Sequence, residues 1–304
     1  MRVFPTLLLT SLLITGAGCF KTPEPTVLPE QPERESENMV GDVPIETVEI
    51  QKDFVLNEFA ECKVHISYPS FGSSYLPPLV SAQSELEMSH FIATALNYNE
   101  DVNSMSELEE IANTYLEICR SEIESEYNNL ATAGEELFMN LKRTVDIVYN
   151  IKLNQFHLLT VGLDEYSYTG GAHSNQRMQY INIDRGGDQL LSLDDIIKPE
   201  HLKVFLQYEK AQLLADNRES LYPEVADEYD ALIEDLAVLT SEQQLDTYGS
   251  DTNFFLTPTS IVTYYNSYDI APYAAGPIFV EIPFTDIKDY ISLNGPLVPL
   301  VENL

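Results

Sequence analysis

Apolar and polar positions alternate with two different periods along this chain, and the change of period divides it into blocks. Cys62, Val64, Ile66 and Tyr68 recur at every second position, which predicts a strand with one buried face. A loop rich in proline and serine follows through Pro69, Pro77 and Pro78. The period then lengthens to that of a helix. Ser84 with Glu87, ahead of Met88, Phe91, Ile92 and Ala95, reads as a capping box opening one helix. Ser106 with Glu109 does the same for a second, whose stripe Leu108, Ile111, Ala112 and Tyr115 continues to Cys119.

Period two returns in three long runs, Phe138 to Asn150, Leu153 to Tyr168 and Gln176 to Asp184, predicting a meander of antiparallel strands. Asn182 to Asp188 supplies a tight turn, and Leu191 to Ile196 a short helical one. Two helices are predicted after Pro199. One buries Leu202, Phe205, Leu206 and Leu213; the other buries Val225, Tyr229, Leu232, Ile233 and Leu236 and turns its carboxylates to water. Strands near Asn253 to Leu256, Ile261 to Tyr265 and Phe279 to Ile282, then a helix around Thr285 to Tyr290, complete the pattern. Strands and helices in separate blocks predict an α+β fold: an antiparallel meander with helices packed on it, in two sub-domains sharing one body.

The beginning of the chain reads differently. Arg2, the apolar run Leu7 to Ile14 and then Gly16-Ala17-Gly18-Cys19 describe a signal peptide over residues 1–18 with a lipobox-like end. The run is too short to span a bilayer as a helix. Gly16 stands where bacterial lipoboxes usually carry Leu, Ile or Val, so ordinary cleavage and secretion stays open beside lipidation of Cys19. Residues 19–53, with Pro23, Pro25, Pro29, Pro32 and Pro44 among glutamates, read as a stalk that buries too little apolar surface to order itself. Two folded parts are expected beyond it, 54–135 and 136–304. The expected location is outside the cytoplasm, on a bacterial membrane through the lipid.

With 16 basic and 49 acidic residues the chain has a net charge of −33, which disfavours nucleic acid and anionic membrane surfaces as partners. Cationic partners or divalent ions suit it better, although such charge also serves solubility alone. With Cys19 assigned to lipid, Cys62 and Cys119 form an even pair with inward-pointing patterns, as a disulfide or as two small core residues.

Two aromatic and glycine-rich stretches carry the candidate site: Tyr166 to His173, containing Tyr168, Thr169, Gly170 and Gly171, and Tyr268 to Pro277, containing Tyr273 and Gly276. His173 could act as a ligand or base at a groove lip, or its ring could bond a carbonyl and hold the turn. The glycines lack the following Lys-Ser or Lys-Thr of a phosphate loop, and Ser167 and Ser174 lack a hydrolase elbow. Asp194 with Asp195 suits a helix N-terminus better than a glycosidase pair, and Asp184 with Asp188 could at most hold calcium weakly. No zinc and no cofactor are expected. Tyr264, Tyr265, Tyr268 and Tyr273 suit recognition of a glycan or protein, because their rings offer area at small entropic cost.

Taken together, Tyr168-Thr169-Gly170-Gly171-Ala172-His173, Leu191-Ser192-Leu193-Asp194-Asp195 and the series Phe255-Leu256-Thr257, Pro272-Tyr273-Ala274-Ala275-Gly276 and Ile282-Pro283 resemble one family. It is the RsiV/PdaC-type extracytoplasmic domain, shared by a lysozyme-sensing anti-sigma factor and the stem of a peptidoglycan deacetylase. The resemblance covers roughly residues 55 to 295 and implies an α+β envelope domain that displays a binding surface. In one member that surface takes lysozyme; in another it sits beside a glycan-modifying domain. This chain shows neither a deacetylase metal motif after the domain nor an anti-sigma segment before it. The expectation is therefore a non-enzymatic lipoprotein that binds a lysozyme-type basic protein or a cell-wall glycan, with a peptidoglycan hydrolase or deacetylase as the alternative.

Overall fold

In the computed structural model, residues 41–72, 74–98, 100, 102–133, 140–238, 253–292 and 295–302 are described, all within one compact unit, Ser36–Leu304. The signal peptide, Cys19 and the stalk up to residue 40 lie outside the described residues.

Strands β1 (Ile45–Asn57), β2 (Ala60–Phe71), β3 (Leu141–Gln155), β4 (Leu158–Tyr168), β5 (Asn175–Asp184) and β6 (Gln189–Leu190) form one sheet in sequence order. Every neighbouring pair is antiparallel except β2 and β3, which run parallel because two helices connect them. Those helices are α1 (Pro78–Ala95) and α2 (Leu108–Ala133), and both cover the same face of the sheet. Even-numbered residues of β2, odd-numbered residues of β3 as far as Ile151, and odd-numbered residues of β4 and β5 point toward them, so Val64, Ile66, Val145, Ile147, Val161, Leu163 and Ile181 meet Met88, Ile92 and Ile111 in the first core.

Cys62 and Cys119 are joined in a disulfide within that core, with Cα atoms 6.4 Å apart. It ties α2 to β2 and closes a separation of 57 residues, worth about 4 kcal/mol by loop entropy.

The second half is built on a three-stranded antiparallel sheet of β7 (Phe254–Leu256), β8 (Ser260–Tyr265) and β9 (Ile278–Pro283). One face packs on α3 (Leu202–Asn217) and α4 (Val225–Val238), burying Phe205, Leu206, Tyr229 and Ile233 with Leu256, Ile261 and Ile282. The short helices α5 (Phe284–Ile287) and α6 (Val298–Val301) close that core with Phe284, Ile287 and Leu300. From the other face Phe255, Val262 and Tyr264 pack onto Met178 and Tyr180 of β5. The small sheet therefore lies between its own helices and the helix-free face of the large sheet.

Several boundaries depart from the sequence reading. The stalk expected to reach residue 53 ends earlier, because β1 starts at Ile45 and pairs with β2 along its length. Nor does a break fall between residues 135 and 136 in the sheet, since β3 to β5 complete the sheet that β1 and β2 begin. Ser84 caps nothing: it lies inside α1, where its hydroxyl donates to the Ser81 carbonyl, and the helix opens at Pro78, whose fixed φ suits a first helical position. Before α2 the cap is Ser104, whose Oγ accepts from the Ser106 N–H, rather than Ser106. The hairpin between β3 and β4 turns at Phe156 and His157, with Phe156 at φ 56°, instead of after Asn150.

Side chains join the two sheets. Asn182, buried on β5, accepts at Oδ1 from the Thr160 hydroxyl (2.9 Å) and the Leu256 N–H (3.1 Å), while its Nδ2 donates to the Phe254 carbonyl (2.9 Å). Asn266 does the same further along: the Met178 N–H donates to its Oδ1 (2.7 Å) and its Nδ2 donates to the Met178 carbonyl (3.2 Å). Replacing Asn182 by Leu keeps the volume but leaves the Thr160 hydroxyl, the Leu256 N–H and the Phe254 carbonyl without it, so the Asn182→Leu variant is expected to lose about 3 kcal/mol in urea unfolding. A loss below about 0.5 kcal/mol would show that the junction rests on apolar packing alone.

Candidate functional site

The two motif stretches, ninety-odd positions apart in the chain, meet on the surface. Between β4 and β5 the chain passes Gly170 (φ 101°) and Gly171 (φ 98°), and Tyr168 Oη donates to the Gly171 carbonyl (3.1 Å). This turn delivers His173 to the start of β5. On the other side Asn266, fixed to Met178, begins a turn whose Asp269 carboxylate accepts from the Asn266 N–H (2.7 Å). Burial raises the Asp269 pKa above its ordinary value, with the bond from Asn266 opposing that shift. Inside the turn Tyr268 takes φ 76°, a conformation costly for a large side chain, and its ring is half exposed.

Pro272 then opens a 3-10 turn, Tyr273–Ala275, that ends at Gly276 with φ 69° and ψ −168°, a region open in practice to glycine alone. The outcome is a cluster of three rings. His173 stacks on Tyr273 with centroids 4.1 Å apart and planes at 20°, and Tyr268 leans on both, 5.7 Å from Tyr273 and 6.4 Å from His173. Polar tips fix the arrangement: Ser174 Oγ and Tyr273 Oη share a hydrogen bond of 3.1 Å. His173 Nδ1 lies 2.9 Å from the Ser174 carbonyl, which can only accept, so Nδ1 carries a proton and Nε2 is left to accept from Tyr268 Oη at 3.3 Å. Both ring nitrogens are engaged, as in the turn-holding reading of this histidine.

The predicted residues thus separate. His173, Tyr268 and Tyr273 come together, with Gly276 shaping the turn beneath them. Thr169, Gly170 and Gly171 instead line a cavity of about 250 Å³ beside Arg143 and Glu126, near the C-terminal end of α2. Tyr264 and Tyr265 are not surface recognition residues. Tyr264 is buried against Tyr180, its Oη accepts from the Tyr180 N–H (3.2 Å), and burial pushes its pKa up to about 12. Tyr265 donates to the buried Glu209 (2.9 Å) and hydrogen-bonds Tyr229. Asp195 accepts from the N–H and Oγ of Ser192, Asp184 accepts from the Gly186 N–H, and Asp188 accepts from the Val80 N–H, so each braces its own turn or a helix end. Among the described residues no group of three or more His, Cys, Asp or Glu is placed to hold a metal ion, and no helix is long and apolar enough to cross a membrane.

Comparison with known proteins adds a family to this geometry. Residues 194–285 match the family described as a protein of unknown function, DUF3298. Over that stretch the chain is similar to the DUF3298 family. The match takes in Tyr268, Tyr273 and Gly276 but not His173, so the ring cluster draws on both the matched stretch and the residues before it. The crystal structure of a DUF3298 member from Bacteroides fragilis has the same fold, with a TM-score of 0.58 at 21% identity over 87% of this chain and 100% of that one. A DUF3298 protein from Pseudomonas aeruginosa is also similar, with a TM-score of 0.45 at 17% identity over 83% of this chain and 96% of that one. The search of curated proteins found no match.

Sequence reading missed the polar features of the helix-free face. Gly162 is there because a Cβ would stand 2.5 Å from the Tyr180 ring, and Lys152 lies over the rings of Tyr180 (5.5 Å) and Phe255 (5.4 Å). His65 bridges Asp146 through Nδ1 and Glu49 through Nε2, both at 2.7 Å, across three adjacent strands. The only signal for that bridge was alternation, which says which residues share a face but not which strands adjoin.

These two bonds make stability depend on pH. The Asp146 bond, then the Glu49 bond, raise the His65 pKa above 6.5 against the opposing effect of burial, and the bond from His65 lowers that of Glu49 below 4.5. A histidine with a raised folded pKa contributes stability that is complete below 6.5 and is lost as pH rises through the folded value. The stability advantage of wild type over His65→Gln is therefore expected to be larger at about pH 6 than at about pH 9, as read from urea midpoints. A constant difference would show that the bridge carries no net charge interaction.

Proposed function

We propose that this chain is the binding module of an exported, lipid-anchored envelope protein, and that its ligand is a small basic protein of the lysozyme type. The observation that carries this reading is the exposed cluster of His173, Tyr268 and Tyr273, preformed by backbone conformations that cost energy unless something is gained from holding the rings there. Rigid rings with polar tips suit a desolvated contact at the centre of an interface. The net charge of −33 supplies attraction at longer range for a cationic partner. A binding role also accommodates His173 better than a base would, since both its nitrogens already have partners. The family resemblance supplies the ligand class.

Charge alone would attract any cationic protein, and salt would remove that attraction: the screening length is about 8 Å at physiological ionic strength. The informative comparison sets lysozyme against an unrelated protein of equal positive charge, at low and physiological salt, with wild type and Tyr273→Ala. Selective lysozyme binding that persists in salt and weakens at least tenfold in the variant is expected. Equal binding of both proteins, lost together as salt rises, would leave the acidity as a solubility device. Release of acetate or reducing ends from peptidoglycan, abolished by His173→Ala, would favour the enzymatic alternative.

The anchor has its own test. Replacing Cys19 by Ala is expected to move the protein from the detergent phase to the aqueous phase after phase separation, without changing the urea midpoint. Retention of the Cys19→Ala protein in the detergent phase would overturn lipid anchoring at that residue.

A further inference from the structure

Beside the ring cluster the helix-free face of the large sheet holds a groove of about 270 Å³. Two cross-strand rows build its floor: Asp146, Tyr166 and Gln176 in one, and Val148, Asp164 and Met178 in the next. Pro277, which directly follows the Gly276 that shapes the ring-bearing turn, closes one side. Asp146 and Asp164 are thus diagonal neighbours on adjacent strands, about 7 Å apart in such a lattice, with apolar surface from Val148, Met178 and Pro277 alongside; Glu165, which also lines the groove, is paired with Arg177 (3.1 Å). Tyr166 and Val148 remain well exposed.

Neither Asp146 nor Asp164 is ion-paired to a lysine or arginine among the described residues. Asp146 bonds His65, and Asp164 accepts from the Asn150 amide (2.7 Å). Lys152 is nearby but lies over the Tyr180 and Phe255 rings. A groove with acidic corners and apolar walls is complementary to a side chain with an aliphatic stem and a cationic head. A bare metal ion would want more oxygen ligands, and among the described residues no group of three or more His, Cys, Asp or Glu is placed to hold one.

We propose that this groove receives a lysine or arginine side chain of the bound protein, with the ring cluster gripping the ligand surface beside it. The inference rests on the basic-protein reading above and adds the groove that would select for a protruding cationic side chain.

Agmatine, a guanidinium on a four-carbon stem, tests the groove without a protein ligand; N-butylurea is the uncharged control. Titrated into the full folded protein and followed by methyl NMR, agmatine is expected to give saturable shifts at Met178 and Val148, and N-butylurea none. Binding should weaken at least tenfold in Asp164→Asn and vanish in Val148→Phe, which fills the groove from an exposed position. Lysozyme should then bind Asp164→Asn more weakly than wild type at physiological salt, and agmatine should compete with it. Tyr273-dependent lysozyme binding without agmatine shifts at either methyl would overturn the groove and leave the basic-protein reading standing. Saturable agmatine binding with no selective lysozyme binding would support a cation groove and overturn the basic-protein reading. Equal shifts from N-butylurea, or agmatine affinity unchanged in Asp164→Asn, would also overturn the assignment.

Discussion

Everything in the second half of this molecule depends on how the open edge of β5 is satisfied. An edge strand presents N–H and C=O groups that must find partners or water, and only the last two residues of β5 are paired with β6. The rest of the edge is met by groups that stand in for a strand. Asn266 takes both backbone groups of Met178, Tyr264 accepts from the Tyr180 N–H, and Leu191 donates to the Asn182 carbonyl. A side-chain amide carries the same donor and acceptor as a peptide unit, so an asparagine can continue a ladder where the backbone turns away. Asn182 completes the junction in the reverse direction, reaching out from β5 to the backbone of β7.

That junction also places the surface chemistry. Because Asn266 is held by Met178, the turn that follows it has a fixed origin on the large sheet, and Tyr268 and Tyr273 emerge within reach of His173 at the near end of the same strand. The groove, the ring cluster and the inter-sheet bonds are thus three uses of β5: its near end, its helix-free face and its edge. Met178 shows the economy most plainly, since its backbone anchors Asn266 while its side chain helps line the groove.

Much of this was legible in the sequence where burial is one-sided. The alternation of β3 to β5, the stripes of α3 and α4 and the inward Cys62 and Cys119 all follow from one face meeting a core. β1 was hidden because, as an edge strand, it buries almost only Ile50; with Glu46, Glu49, Lys52 and Asp53 along it, it resembles solvated stalk. The hairpin at Phe156 carries no glycine or asparagine to announce a positive φ, and the helix starts were misplaced because serine and glutamate at capping spacing also occur inside helices. Of the site, the rings were legible by type, and Tyr264 and Tyr265 were not separable from Tyr268 until the sheet assigned their faces. Parallel pairing of β2 with β3, and with it the contact of His65 with Asp146, is a non-local choice that local pattern does not encode.

The chain enters its first strand through a clasp of side chains. Asn154 bonds both backbone groups of Val43, with its Oδ1 2.8 Å from the N–H and its Nδ2 2.9 Å from the carbonyl. Arg185, fully buried and with its pKa lowered by that burial, donates to the Gly41 carbonyl at 2.6 Å. Tension applied at Gly41 would load these three bonds before it reached the thirteen-residue ladder of β1. The clasp is thus a mechanical fuse: a weak pull costs a few side-chain hydrogen bonds that can re-form, while the strand and the disulfide-stapled core behind it stay unstrained.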